Sequence, residues 1–314
     1  MTHAVVPSKV DHVYATLIVV AVLWGSATGL LLPRAAYRLS VEPETMYRDS
    51  CEAGHPITGP AKGWLGRAGC GTCAAAGGVV TAAGRATASP GHAEAGEAAL
   101  PSTDQAPASD TDASDDSDTA DSSAAAPQPV LRGARYAPSI QVTLITALVC
   151  AALAAATGPH PELAVWLLLA PFAVLLALID RNVHRLPDHL TLPLAVASAV
   201  LLGIAALLPD AGGSWPTALL GGLVLGACYF VLFLINPNGM GFGDVKLALS
   251  LGVVLGWYGW LVLFVGAFAG FLLGSLYGIG LMILRRANRK SAIPFGPFMI
   301  AGALLGVLLG ALAV

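Results

Sequence analysis

Eight apolar runs dominate this chain, at 14–32, 140–157, 162–179, 190–208, 217–235, 244–256, 260–284 and 296–313. Crossing a bilayer core of about 30 Å takes roughly 20 helical residues, and most of the runs approach that length. Lipid offers backbone N–H and C=O groups no partners, so each run is expected to be a helix. The sixth is short and is expected to be tilted or partly re-entrant. With 56% hydrophobic and only 11% charged residues, the chain is too apolar for a soluble domain of its length. The expected fold is an all-α polytopic membrane protein with about eight transmembrane helices. The first run is expected to span rather than be cleaved, because Leu32-Pro33-Arg34 follows it instead of a small-residue cleavage site.

Charge sets the expected orientation. With the N-terminus outside, the inside segments carry Arg34, Arg38, Arg48, Lys62, Arg67, Arg85, Arg132, Arg135, Arg181, Arg185, Lys246, Arg285, Arg286, Arg289 and Lys290. The outside segments keep only Lys9. Positive residues concentrate on the cytoplasmic side of membrane proteins. The expected location is therefore the inner (plasma) membrane, multi-pass, with Asp180 and Asp244 at the cytoplasmic edge.

Four regions follow. Residues 1–32 hold the first transmembrane helix, and 33–74 form a cytoplasmic segment with Cys51, Cys70 and Cys73. Residues 75–130 are Ala, Gly, Ser, Thr, Pro and Asp with almost no large apolar residue, so disorder is expected. Residues 131–314 are nearly all membrane. No P-loop or G-x-G-x-x-G fingerprint is present, and no nucleic-acid partner is expected.

Two carboxylates stand at the ends of apolar runs. Asp180 closes Leu178-Ile179-Asp180-Arg181, and Asp244 opens a helix after Gly239-Met240-Gly241-Phe242-Gly243. A carboxylate at membrane depth is costly unless paired, hydrated or neutralised, so such residues are functional by default. Two of them from different helices can share a proton and activate water, as in aspartic proteases. The glycines are expected to take torsions other residues avoid and to let a substrate chain approach closely. A helix N-terminus favours negative charge, so Asp244 is expected to be the base and Asp180 the acid. Asp188 competes with Asp180 for the second role, but Pro187-Asp188 reads better as a turn and helix N-cap.

The string from Asp180 through Arg185-Leu186-Pro187-Asp188-His189-Leu190-Thr191-Leu192-Pro193 resembles the first-aspartate motif of the bacterial prepilin peptidases. These are type IV prepilin leader peptidases, membrane aspartic proteases of the G-x-G-D kind. Gly241-Phe242-Gly243-Asp244-Val245-Lys246 resembles their second motif, and Ile293-Pro294-Phe295-Gly296-Pro297-Phe298 their last cytoplasmic loop. The resemblance covers roughly 133–313. It implies a membrane aspartic endopeptidase that removes the leader from pilin-like precursors, with Asp180 and Asp244 catalytic. It also implies a substrate-facing wall of Gly241, Gly243, Lys246, Pro294, Gly296 and Pro297. The partners implied are pilin-like precursors and the bilayer, and the peptidase step needs no cofactor.

Family members often carry two CxxC pairs that would hold zinc in the N-terminal segment. Here Cys51 stands where the first pair would be, and Cys70 and Cys73 form the second. One cysteine is missing, and His55 is a candidate to complete a Cys3His set. Many members also N-methylate the new N-terminus using S-adenosylmethionine. Arg135-Tyr136-Ala137-Pro138 resembles the family segment, but Thr143 replaces its acid, which puts methyl transfer in doubt. The rival reading is a channel or transporter with paired intramembrane aspartates. Against it, both acids lie at one face and no inverted repeat is visible.

Overall fold

A computed structural model of the chain describes residues 9–41, 47–51, 53–66, 69–70, 72–73, 139–237, 239–284 and 294–314. The expectations for the 75–130 insert and for Arg135 to Pro138 fall outside these residues. The described chain forms α1 (Lys9–Leu39), α2 (Ser139–Thr157), α3 (Glu162–Val183), α4 (Asp188–Ala205), α5 (Trp215–Ile235), α6 (Phe242–Gly256), α7 (Trp260–Ile283) and α8 (Gly296–Leu312). It is a polytopic all-α membrane protein. Among the described residues the only extended pairing is an isolated bridge between Ser50 and Pro56. Six helices, α1 to α5 and α7, are long and apolar enough to cross a membrane. The other two are shorter, with 15 residues in α6 and 17 in α8.

The helices alternate up and down. One end of the bundle therefore gathers the C-termini of α3, α5 and α7 with the N-termini of α4, α6 and α8. This is the carboxylate end. The helices bearing the two carboxylates are the inner ones: α3 packs on α1, α2, α4 and α8, and α6 packs on α4, α5, α7 and α8. Lipid gives no hydrophobic reason for helices to associate, so close packing by small residues has to do it. A Cβ at Gly221 of α5 would lie 2.7 Å from the Gly252 carbonyl oxygen and 2.9 Å from the Gly256 Cα of α6. Only glycine lets these two backbones meet. The outward faces stay apolar, as with Leu148, Leu223 and Phe268.

At the far end, Glu162 is 1% exposed at the start of α3. Its carboxylate oxygens accept from the Gly212 backbone N–H at 3.1 and 3.3 Å, tying α3 to the loop between α4 and α5. No motif around Glu162 singles out this anchor in the sequence.

The segment after α1 folds back on that helix. Arg34 Nη1 donates to the Thr58 and Leu65 carbonyls at 2.9 and 3.3 Å. Arg38 donates to the Lys62 carbonyl and lies 4.4 Å from the Trp64 ring centroid. These contacts explain why α1 continues past Pro33, where hydropathy alone ends the run at 32. Tyr47 then meets His189 at the start of α4, with ring centroids 5.9 Å apart. The cysteine segment therefore sits against the carboxylate end.

Candidate active site

Asp180 lies in the last turn of α3 and Asp244 in the first turn of α6. Both are buried, at 4% and 8% exposure, and they are close enough to interact electrostatically. Asp180 does not stand free. The backbone N–H of Gly296, the first residue of α8, donates to its Oδ2 at 2.9 Å. Gly296 and Pro297 thus start a helix whose first amide points at a carboxylate, an arrangement that helix N-termini favour. A Cβ at Gly296 would lie 2.8 Å from Oδ2, so the residue has to be glycine for this approach.

The glycines of the second motif do less with torsion than expected. None of Gly239, Gly241 and Gly243 has a positive φ, and Gly241 is extended at φ −72° and ψ 142°. What Gly243 supplies is room. A Cβ there would lie 2.9 Å from the Leu186 Cβ. Leu186 belongs to the Arg185-Leu186-Pro187 link between α3 and α4, so the two motifs pack directly on each other. At Gly241 the space is more open, with only the Asp244 carboxylate and the Gly243 nitrogen nearby.

Asp188 is not the helix cap the sequence suggested. Pro187 takes the N-cap position of α4, no side-chain cap bond forms, and Asp188 is the first helical residue. Its side chain is 65% exposed and pairs with Lys246 Nζ at 2.5 Å. Lys246, expected to face a substrate, is thus engaged by Asp188 and also lies 4.8 Å from the Phe242 ring centroid. Pro294 is half-buried at the approach to α8.

Two neighbours were not anticipated. Tyr229 of α5, 2% exposed, interacts electrostatically with Asp244. Its ring packs on Phe271 and Phe295, with centroids 5.4 and 6.3 Å away. His184 caps α3 in the left-handed region, its N–H donating to the Asp180 carbonyl at 2.7 Å. A lone Tyr within an apolar run and a polar residue after a helix carry no pattern that singles them out.

Residues 167–283 match the Type IV leader peptidase family. That interval contains both Asp180 and Asp244, and the resemblance carried by the motifs is borne out. The prepilin leader peptidase/N-methyltransferase of Aeromonas hydrophila is 35% identical over 170 residues, covering 54% of this chain and 57% of that protein. The Pseudomonas aeruginosa protein of the same name is 33% identical over 172 residues, again 54% and 57%. The Bacillus subtilis one is 28% identical over 170 residues, 53% and 64%. This chain thus matches a little more than half the length of these curated relatives. No solved structure matches.

A second cluster lies in the segment beside the leader-peptidase region. Cys51, His55, Cys70 and Cys73 place one ligand atom each within 4.8 Å of one another. Cys51 Sγ is 3.8 Å from Cys73 Sγ and 3.6 Å from His55 Nδ1, which is 3.2 Å from Cys73 Sγ. A tetrahedral zinc with ordinary Zn–S and Zn–N bonds puts two sulfurs about 3.8 Å apart and a sulfur and a nitrogen about 3.6 Å apart. The donor set therefore fits. The turn that makes it possible runs from Cys51 to His55: Cys51 N–H donates to the His55 carbonyl and Gly54 N–H to the Cys51 carbonyl, both at 2.9 Å. Gly54 sits at φ 82°, where a side chain would be strained. Hydrogen bonds, first from the Cys73 backbone, bring the Cys70 thiol down to about 7, while burial and the neighbouring thiols push Cys73 up to about 12.

Proposed function

We propose that this protein is a membrane aspartic endopeptidase that removes the leader from pilin-like precursors at the cytoplasmic face of the plasma membrane. The observation that carries the reading is the pair of buried carboxylates, Asp180 and Asp244, brought together from two inner helices inside the family-matched interval. One carboxylate takes a proton from water as the water attacks the scissile carbonyl. The other donates a proton to the leaving amide nitrogen. The two act as one titrating unit, since interacting acids lose protons as a pair. The Gly296 N–H holds the Asp180 carboxylate in place for this work. Gly241, Gly243, Pro294 and Pro297 form the wall along which the precursor chain passes, and Asp188 and Lys246 close its rim as an ion pair. The competing role for Asp188 is disfavoured by its exposure and its engagement with Lys246.

Cys51, His55, Cys70 and Cys73 would hold one zinc ion, which would staple a segment with little core of its own. Hydrolysis is carried by the carboxylates and not by that set. The methyl-transfer activity in the relatives' name is not carried over, because Thr143 stands where the family has an acid.

The test is co-expression with a precursor bearing a short basic leader before an apolar helix, followed by mass analysis of its N-terminus. The wild-type chain trims it. Asp180→Asn and Asp244→Asn, which keep volume and lose proton transfer, insert normally and leave it intact. Trimming by either variant would sink the mechanism.

A further inference from the structure

An apolar slot of about 370 Å³ runs between α3 and α8, over α6, and is bordered by α2 and α4. Its α3 side extends from Trp166 to Arg181, a rise of about 22 Å, so it follows most of the depth of the bilayer core. It is open toward lipid past Ile145, which is 52% exposed. Two hydroxyls reach it, and both are already used: Ser198 Oγ donates to the Leu194 carbonyl at 2.7 Å and Ser250 Oγ to the Thr191 carbonyl at 3.4 Å. An apolar occupant therefore strands no polar group.

The slot ends at the candidate active site. Arg181 and Pro297 are its last lining residues at the carboxylate end. Arg181 follows Asp180 directly, and Pro297 follows the Gly296 whose N–H binds Asp180. The apolar lining stops at Arg181, so the slot offers an apolar segment no further seat beyond the level of Asp180. Ala173, Ala177 and Ala301 make the walls shallow, which lets a backbone come close. A whole helix, about 10 Å across, is too wide to sink in, but one face of its side chains fits.

We propose that this slot seats the apolar segment of the precursor, and so sets which bond reaches the carboxylates. The proposal rests on the peptidase reading above and adds the register. The cut falls where the apolar helix begins because the slot stops there. A lipid acyl chain would match the apolar walls, but it has no use for a slot that ends beside a carboxylate.

The experiment uses the full chain in lipid bilayers, with Asp244→Asn to keep the precursor whole. A photo-reactive leucine analogue replaces Leu304, which lines the slot, or Leu305, its 44% exposed neighbour on the lipid side of α8. Both swaps keep side-chain size. The probe is a precursor with a basic leader followed by about 20 apolar residues. Leu304 lies about 12 Å along α8 from Gly296, so its adduct should map about eight residues past the scissile bond. The yield at 304 should exceed that at 305 at least tenfold. Lipid-only adducts at 304, or equal yields at both positions, overturn the proposal while the wild-type chain still trims the precursor. A wild-type chain that leaves this precursor untrimmed overturns the peptidase reading, and the seat with it.

Discussion

The backbone N–H of Gly296 donates to Asp180 Oδ2 at 2.9 Å, so the start of α8 holds the carboxylate at the end of α3. The two residues are far apart in sequence, and the bond is made by an atom every residue but proline possesses.

Gly296→Ala is the direct probe of that bond. The added methyl would lie 2.8 Å from Oδ2 and 3.1 Å from Cγ, so the carboxyl or the helix has to shift. Misplacing a catalytic group by about 1 Å costs on the order of a hundredfold. Cleavage by Gly296→Ala is expected to fall at least tenfold with normal expression and insertion. A variant trimming precursor at the wild-type rate would show that the contact is dispensable.

Asp188→Asn and Lys246→Met should behave alike and mildly. Each removes half of a partly exposed ion pair, and exposed pairs contribute about 0–1 kcal/mol. Both variants should keep most of the cleavage rate. A dead Asp188→Asn beside an active Asp180→Asn would exchange the roles of the two acids.

Glu162→Ala should lower stability without touching chemistry. It leaves the Gly212 N–H without its carboxylate partner at the far end of the bundle, a loss of about 1–3 kcal/mol. The expected result is a lower melting temperature in detergent with an unchanged cleavage rate per folded molecule. A selective loss of rate would tie the far end to catalysis.

Purified protein should contain about one zinc per chain, and Cys73→Ser or His55→Ala should lose it. Chelation should raise protease sensitivity around residues 47–73 and leave cleavage within about threefold, because a zinc held by this set would fold the segment rather than react. A chelated protein that is stable but inactive would make the metal part of the chemistry.

Deleting residues 78–128 should change peptidase activity little, since the tract is polar and low in complexity and loop-closure cost grows slowly with length. Rates measured at low and high salt separate this from docking of the acidic tract on basic loops. A large, salt-sensitive change on deletion would make the tract regulatory.

The helices were legible because lipid admits few alternatives: an apolar run near 20 residues has to be a helix, and its ends shift by a few residues except in α1, which runs on to Leu39. The carboxylates were legible because they sit where an acid is expensive. Partnerships were not. Asp188 read as a cap and Lys246 as a substrate contact, and nothing in the sequence joined the two as the packing of α4 on α6 does. His55 was legible as a candidate fourth ligand, but the turn built by Gly54 that brings it to the cysteines was not. The roles of Gly243 and Gly296 lie in which neighbour they admit, which no local torsion preference foretells.

The shortness of α6 has a consequence for how Asp244 is reached. Gly256 meets Thr217 and Ala218 at the far end, so the start of α5 and the end of α6 lie nearly level there. Asp244 then lies about 18 Å up α6, while Ile235 ends α5 about 25 Å up. The carboxylate is sunk roughly 7 Å below the rim of its neighbour. Because α6 is enclosed by α4, α5, α7 and α8, that depth is set by protein and not by lipid. On the peptidase reading, the precursor chain has to bend below the end of α5 to reach Asp244.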